Sequence, residues 1–137
     1  MNIALINIGN NKLLIESSKI FAKDLYEKGN IVKETNGILD TPRVTGFQYL
    51  IFFIDAGKFL GKNYYEELNQ FFENVGVITA RYASVYTQKR MFSDRVLYRY
   101  MAKLESEGLI IHDSGIIDSL KNAEEIVKRL KPVKPNE

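Results

Sequence analysis

The sequence predicts a three-layer α/β domain: a five-stranded parallel sheet in the order 2-1-3-4-5, covered on both faces by helices. Three observations carry this. Strand-length apolar runs alternate along the chain with stretches of helical periodicity. One run, Tyr49 to Ile54 (YLIFFI), is apolar without interruption, as a strand buried on both faces must be. Glycine marks the junctions, at Gly9, Gly29, Gly76 and Gly108.

The elements follow in order. Asn2 to Ile8 (NIALINI) reads as a buried first strand ending at Gly9. Asn10 or Asn11 can cap the helix that follows, because a short amide side chain accepts from free helix N–H groups. That helix spans Lys12 to Lys28, with Leu14, Phe21 and Leu25 inward. Ile31 to Thr35 is a second, weaker strand. Asn36 to Gln48, with Gly37, Pro42 and Gly46, reads as loop. Tyr49 to Asp55 is the third strand. Asn63 to Glu66 has capping-box spacing and opens a helix to about Asn74 that buries Tyr64, Leu68, Phe71 and Phe72.

Gly76 to Tyr82 (GVITARY) reads as the fourth strand, and Ala83 to Met91 as a long polar loop. Phe92 to Glu107 is a helix with Val96, Leu97, Tyr100, Met101 and Leu104 on one face. Leu109 to Asp113 is the fifth strand. Asn122 to Glu125 repeats the capping-box spacing and starts a last helix facing inward with Ile126, Val127 and Leu130. The expected domain covers residues 1–131, and 132–137 form a short tail with Pro132 and Pro135.

Composition narrows the function. The 137 residues suit one hydrophobic core. With no cysteine, thiolate metal sites, disulfides and cysteine nucleophiles are excluded. A net charge of +2 is too small to argue for nucleic acid, and no apolar run is long enough for a membrane span. The N-terminal residues lack a signal-peptide pattern, so a cytoplasmic location is the expectation. The basic tail around Lys128, Arg129, Lys131 and Lys134 reads as a solvated helix end.

In such sheets a ligand binds beyond the carboxyl ends of the strands, where the strand order reverses. The expected rim has three parts: Gly9, Asn10, Asn11 and Lys12; Asp55 to Gly61; and Tyr82 to Met91. The first opens a helix, whose free N–H groups and dipole favour an anion. Phe59, Tyr82 and Tyr86 offer flat faces for a planar ring.

These residues carry a family resemblance. Tyr49 to Phe72 (YLIFFIDAGKFLGKNYYEELNQFF) resembles the flavodoxin stretch in which a strand runs into a small-residue loop, an aromatic, a glycine and an L-x-x-F-F helix. Gly108 to Leu130 is similar to a flavodoxin ending. The resemblance is closest to short flavodoxins and to small flavodoxin-domain proteins related to menaquinone-dependent protoporphyrinogen oxidase. It implies FMN as cofactor and electron transfer as function. On this resemblance Gly9, Asn10, Asn11 and Lys12 would hold the phosphate. Ala56, Gly57, Lys58, Phe59 and Gly61 would border the flavin, with Phe59 stacking, and Tyr82, Ala83, Ser84 and Tyr86 would lie opposite. A redox partner protein or a second copy of the chain would be the expected protein partners.

The phosphate loop departs from the family. Flavodoxins carry T/S-x-T-G-x-T, whereas Ile8 to Leu14 (IGNNKLL) is short and has no Ser or Thr. Each missing charge-assisted hydrogen bond costs roughly 1.5–3 kcal/mol, so losing two or three weakens binding about a hundredfold or more. The rival reading is therefore a domain of the same fold without cofactor, acting as a binding or assembly module.

Other readings fit worse. A phosphorylated receiver would use Asp55, but the acidic pair it needs after the first strand is replaced by Asn7, Gly9 and Asn10. The glycine patterns of dinucleotide and P-loop sites are absent. A winged helix over Phe92 to Gly115, with Arg90, Arg95, Arg99 and Lys103 on phosphate, would need helices where this chain has strands. His112 reads as a partly buried structural histidine, and Ser84, Ser93 and Ser114 assemble no Ser-His-Asp set.

Overall fold

Residues 1–38, 43–58 and 61–136 are described by the structure, a computed structural model. The first strand, β1 (Asn2–Ile8), runs into α1 (Lys12–Glu27), which Asn11 caps by accepting from Leu14 N at 3.1 Å. β2 (Ile31–Asn36) and β3 (Tyr49–Ile54) follow, then α2 (Tyr65–Asn74), β4 (Tyr82–Gln88), α3 (Ser93–Ser106), β5 (Ile110–Ile117) and α4 (Leu120–Arg129). All neighbouring strands are parallel, in the order β2-β1-β3-β4-β5. The expected sheet is the observed one.

Strand alternation splits the core in two. Ala4, Ile6, Ile8, Leu50, Phe52, Ile54, Ala83 and Val85 face α2 and α3, packing on Leu68, Phe71, Leu97, Tyr100 and Leu104. Ile3, Leu5, Tyr49, Ile51, Phe53 and Tyr86 face α1 and α4, packing on Phe21, Leu25, Ala123, Ile126 and Val127. Every residue of β3 is buried, as its unbroken apolar run requires.

The fourth strand is displaced from its expected position. It is Tyr82–Gln88 (YASVYTQ), and residues 76–81 form a connection below the sheet. That connection is pinned to the preceding turn: Thr45 Oγ1 donates to Val77 O (2.8 Å), and Thr79 Oγ1 donates to Phe47 O (3.1 Å). Val77 is 68% exposed, so its apolar side chain marked no buried strand. The true strand looks polar because Ser84, Thr87 and Gln88 are buried within it; Gln88 is met by Asp55 just after β3, Thr87 by Gln88, and Tyr86 by Asp113 of β5. Tyr82, Ala83, Ser84 and Tyr86 are thus strand residues rather than loop residues.

Two helix starts shift slightly. α4 is capped by Ser119, whose Oγ accepts from Asn122 N at 3.1 Å, while Asn122 Oδ1 reaches back to Asp118 N at 3.2 Å. Asn63 Oδ1 accepts from Tyr65 N (3.0 Å), one residue short of the capping box. β5 is longer than expected, since Asp113 and Ser114 pair with Ser84 and Val85 across the sheet. The helix α3 lies on the sheet, with Arg99 over Tyr65 (4.3 Å) and Lys103 Nζ 5.8 Å from the Phe72 ring centre, so the winged-helix arrangement is absent. No helix among the described residues is long and apolar enough to cross a membrane.

Candidate functional site

The strand order reverses between β1 and β3, and the rim above that point starts with three residues in one row. Asn7 pairs with Phe53, and Phe53 with Tyr86. The next positions on that face, two residues on, are Gly9, Asp55 and Gln88. Gly9 has φ +109°, and a Cβ there would lie 2.3 Å from Asp55 Cβ. Only glycine allows this approach, so the Asp55 side chain lies directly over the start of the β1–α1 loop.

On the α1 side the rim offers donors. Asn11 spends its side chain on Leu14 N, and its carbonyl accepts from Ile15 N at 3.1 Å. The amides of Asn10, Asn11, Lys12 and Leu13 meet no acceptor among the described residues. They open a helix whose dipole adds to them, and Lys12 is exposed beside them. Gly9, Asn10, Asn36, Ile38 and Tyr64 line a cleft of about 210 Å³ next to this loop.

On the β3–β4 side the polar groups satisfy one another. Asp55, only 7% exposed, accepts at Oδ1 from Gly57 N (2.8 Å) and Gln88 Nε2 (2.7 Å). Gln88 Oε1 accepts from Ala56 N at 2.8 Å. Arg90 donates twice to Ala56 O, from Nε (3.0 Å) and Nη2 (2.6 Å), and meets no carboxylate within ion-pair distance among the described residues. Tyr100 Oη donates to Asp55 O (2.7 Å) and accepts from Tyr64 N (3.0 Å). Burial pushes the Tyr100 phenol well above its ordinary value of 10.0; the Tyr64 bond opposes this and the Asp55 charge adds to it. Burial, then Asp55 and Glu67, also raise the Tyr64 phenol.

The residues expected at the site separate on this frame. Gly9, Asn10, Asn11 and Lys12 form the β1–α1 turn. Ala56, Gly57 and Lys58 follow β3, with Gly57 (φ +78°) packed so closely on Lys62 that a Cβ would meet Lys62 O at 2.3 Å. Gly61 N closes a turn on Lys58 O at 2.8 Å. Phe59, the expected stacking aromatic, lies outside the described residues, as do Leu39 to Pro42 of the irregular segment. Tyr82, Ala83, Ser84 and Tyr86 are not at this rim. They lie in β4, and Ala83, Ser84 and Tyr86 are fully buried. The rim after β4 is instead Lys89 to Phe92. His112, expected to be partly buried, is exposed on the edge strand.

Gln88 and Arg90 fall within the stretch expected at the rim without being singled out as site residues, and Tyr100 was not expected there at all. Gln88 was hidden by the displaced strand, and Tyr100 by its apolar helix face. Among the described residues no cluster of His, Asp or Glu could hold a metal ion.

The sequence matches no protein-family model, and it aligns significantly with no curated protein. Solved structures do resemble it. Oxidised flavodoxin 1 from Bacillus cereus is 15% identical, with 96% of this chain and 100% of that chain covered at a TM-score of 0.69. The NAD(P)H:quinone oxidoreductase from Methanothermobacter marburgensis is 10% identical, covering 96% and 99% at 0.64. A Fusobacterium nucleatum flavodoxin bound to flavin mononucleotide is 13% identical, covering 93% and 95% at 0.59. At such identities the likeness is one of fold, and the fold is flavodoxin-like.

Proposed function

We propose that this chain is a flavodoxin-like redox protein that holds FMN at the carboxyl-end rim, and holds it more weakly than a loop rich in hydroxyls would. The observation that carries this reading is the set of open amides from Asn10 to Leu13 at the switch point. Their donors suit a phosphate in kind but fall short in number, since no Ser or Thr hydroxyl joins them.

In this reading Gly9 gives the turn its shape, and the amides with Lys12 bind the phosphate. Ala56, Gly57, Lys58, Phe59 and Gly61 border the ring. When bound, the flavin supplies the electron-transfer chemistry. Lys58, exposed on the loop after β3, favours an anionic reduced ring by Coulomb attraction. The Asp55 carboxylate acts against both anions and weakens binding.

That carboxylate also favours a second reading, in which the domain works without a cofactor as a binding module. Asp55 lies on Gly9 with its bonds already made by Gly57 and Gln88, so this side of the mouth gains nothing from a ligand. Titration of the purified protein with FMN separates the two. Saturable quenching of flavin fluorescence with a Kd of about micromolar order supports FMN binding. A colourless protein that leaves FMN fluorescence unchanged supports the cofactor-free module.

A further inference from the structure

The edge strand β5 and the end of α4 enclose a cleft of about 500 Å³, lined by His112, Asp113, Ile126, Arg129, Leu130 and Lys131. It lies toward the amino ends of the strands, in the opposite half of the sheet from Gly9 and Asp55. We propose that this cleft binds a small organic phosphate that also carries a hydroxyl or amino group.

A β-bulge builds the site. Ala83 pairs with Ile111 and Ser84 with Asp113, leaving His112 as the extra residue. Such an insertion re-aims side chains that strict alternation would send to opposite faces. Here His112 and Asp113 both reach phenols from the face that packs on α1 and α4. Tyr49 Oη is 3.0 Å from His112 Nδ1, and the two rings meet edge to face at 5.8 Å. Tyr86 Oη donates to Asp113 Oδ2 at 2.6 Å. Both tyrosines are fully buried, which pushes their phenols far above the ordinary 10.0 and keeps them neutral. Ser84 Oγ is buried beside both phenols, and its hydroxyl opposes part of the upward push on each.

Both lining groups are therefore held from behind and left open in front. Tyr49 occupies His112 Nδ1, which leaves Nε2 for a ligand. Tyr86 occupies Asp113 Oδ2, which leaves Oδ1. Arg129 and Lys131 reach no carboxylate within ion-pair distance among the described residues, and Asp113 reaches no cation. Unpaired charges of both signs thus border one cleft whose apolar floor is Ile126 and Leu130. A phosphate offers three terminal oxygens to Arg129, Lys131 and His112. A hydroxyl or amino group on the same ligand satisfies Asp113. The cleft volume lies within the range of small-molecule sites.

Amide-resolved NMR of the full chain tests this with glycerol 3-phosphate, inorganic phosphate and glycerol as probes. Saturable shifts confined to residues near 111–114 and 129–132 are expected with glycerol 3-phosphate. Inorganic phosphate should bind the same residues about fivefold more weakly, because it leaves Asp113 unsatisfied. Arg129→Ala with Lys131→Ala should weaken binding about a hundredfold, and Tyr49→Phe, which touches no ligand, by about threefold with the fold intact. Absence of saturable shifts at these residues up to about 10 mM overturns the proposal. So does equal binding of both phosphates, or unchanged affinity in the double variant. Shifts confined to Asn10 to Leu13 would also overturn it, while leaving the anion site of the rim standing.

Discussion

Two clusters of polar groups stand at opposite ends of the sheet, and they differ in how completely they close. At the rim, Asp55, Gln88, Ala56, Arg90, Tyr100 and Tyr64 exchange hydrogen bonds among themselves. In the amino half, Tyr49 is bonded to His112 and Tyr86 to Asp113, and His112 Nε2 and Asp113 Oδ1 find no partner among the described residues. A closed network in a low-dielectric setting rigidifies its surroundings, whereas a partly closed one leaves donors and acceptors that a ligand can still satisfy. Position in the fold and capacity to bind are therefore separate matters. At the carboxyl-end rim the open helix-start amides lie on the α1 side, and the Asp55–Gln88–Arg90 network on the β3–β4 side serves as scaffold.

The strongest way to probe both clusters at once is alkali. Tyr100 in the rim, and Tyr49 and Tyr86 in the amino half, have folded values raised above the ordinary 10.0. The folded state then keeps its phenolic protons after the unfolded chain has released them. Their stabilisation is fully present below that ordinary value and falls as pH rises above it. The loss is about 1.4 kcal/mol per pH unit for each phenol, about 4 kcal/mol per unit together. Urea midpoints across this range, read with tyrosinate absorbance, check it. Tyr49→Phe with Tyr86→Phe should remove more of the slope than Tyr100→Phe.

Gly9→Ala attacks the closed cluster directly. The positive φ and the collision with Asp55 Cβ should cost about 3–5 kcal/mol, measured by urea unfolding. Comparing Tyr100→Phe with Tyr86→Phe sharpens the contrast. The first strands Tyr64 N and Asp55 O and should cost about 2–3 kcal/mol; the second frees only Asp113, which is partly exposed, and should cost about 1 kcal/mol. Equal costs would mean that the two clusters are not different in kind. Smallest in stability is Asp55→Asn, which keeps an acceptor for Gly57 and Gln88 and removes the charge. It should change stability by about 1 kcal/mol or less and tighten FMN about three- to tenfold, read by fluorescence quenching.

Particular elements show how far the sequence could be read. β1, α1 and β3 stand where their residues place them, because an unbroken apolar run, an asparagine cap and a glycine act locally. β4 does not. Gly76 to Tyr82 (GVITARY) reads as a strand and Ala83 to Met91 as a loop, since hydropathy cannot register that a distant Asp113 or Asp55 will partner Tyr86 and Gln88. The Gly9 to Lys12 turn was legible as an open helix start for the same local reasons as β1. The Asp55–Gln88–Arg90 network and the His112 bulge were not, because each joins residues from separate strands.

Taken alone, the sequence determined the alternation of strands and helices, the parallel sheet and the open helix start after β1. All of these arise from periodicity and backbone chemistry within a few residues. Tertiary structure alone decided which strand residues became β4, which carboxylate lies over Gly9, and which charged groups border the cleft beside α4. Those outcomes depend on strand register, and register emerges only when whole strands pair and bury their faces together.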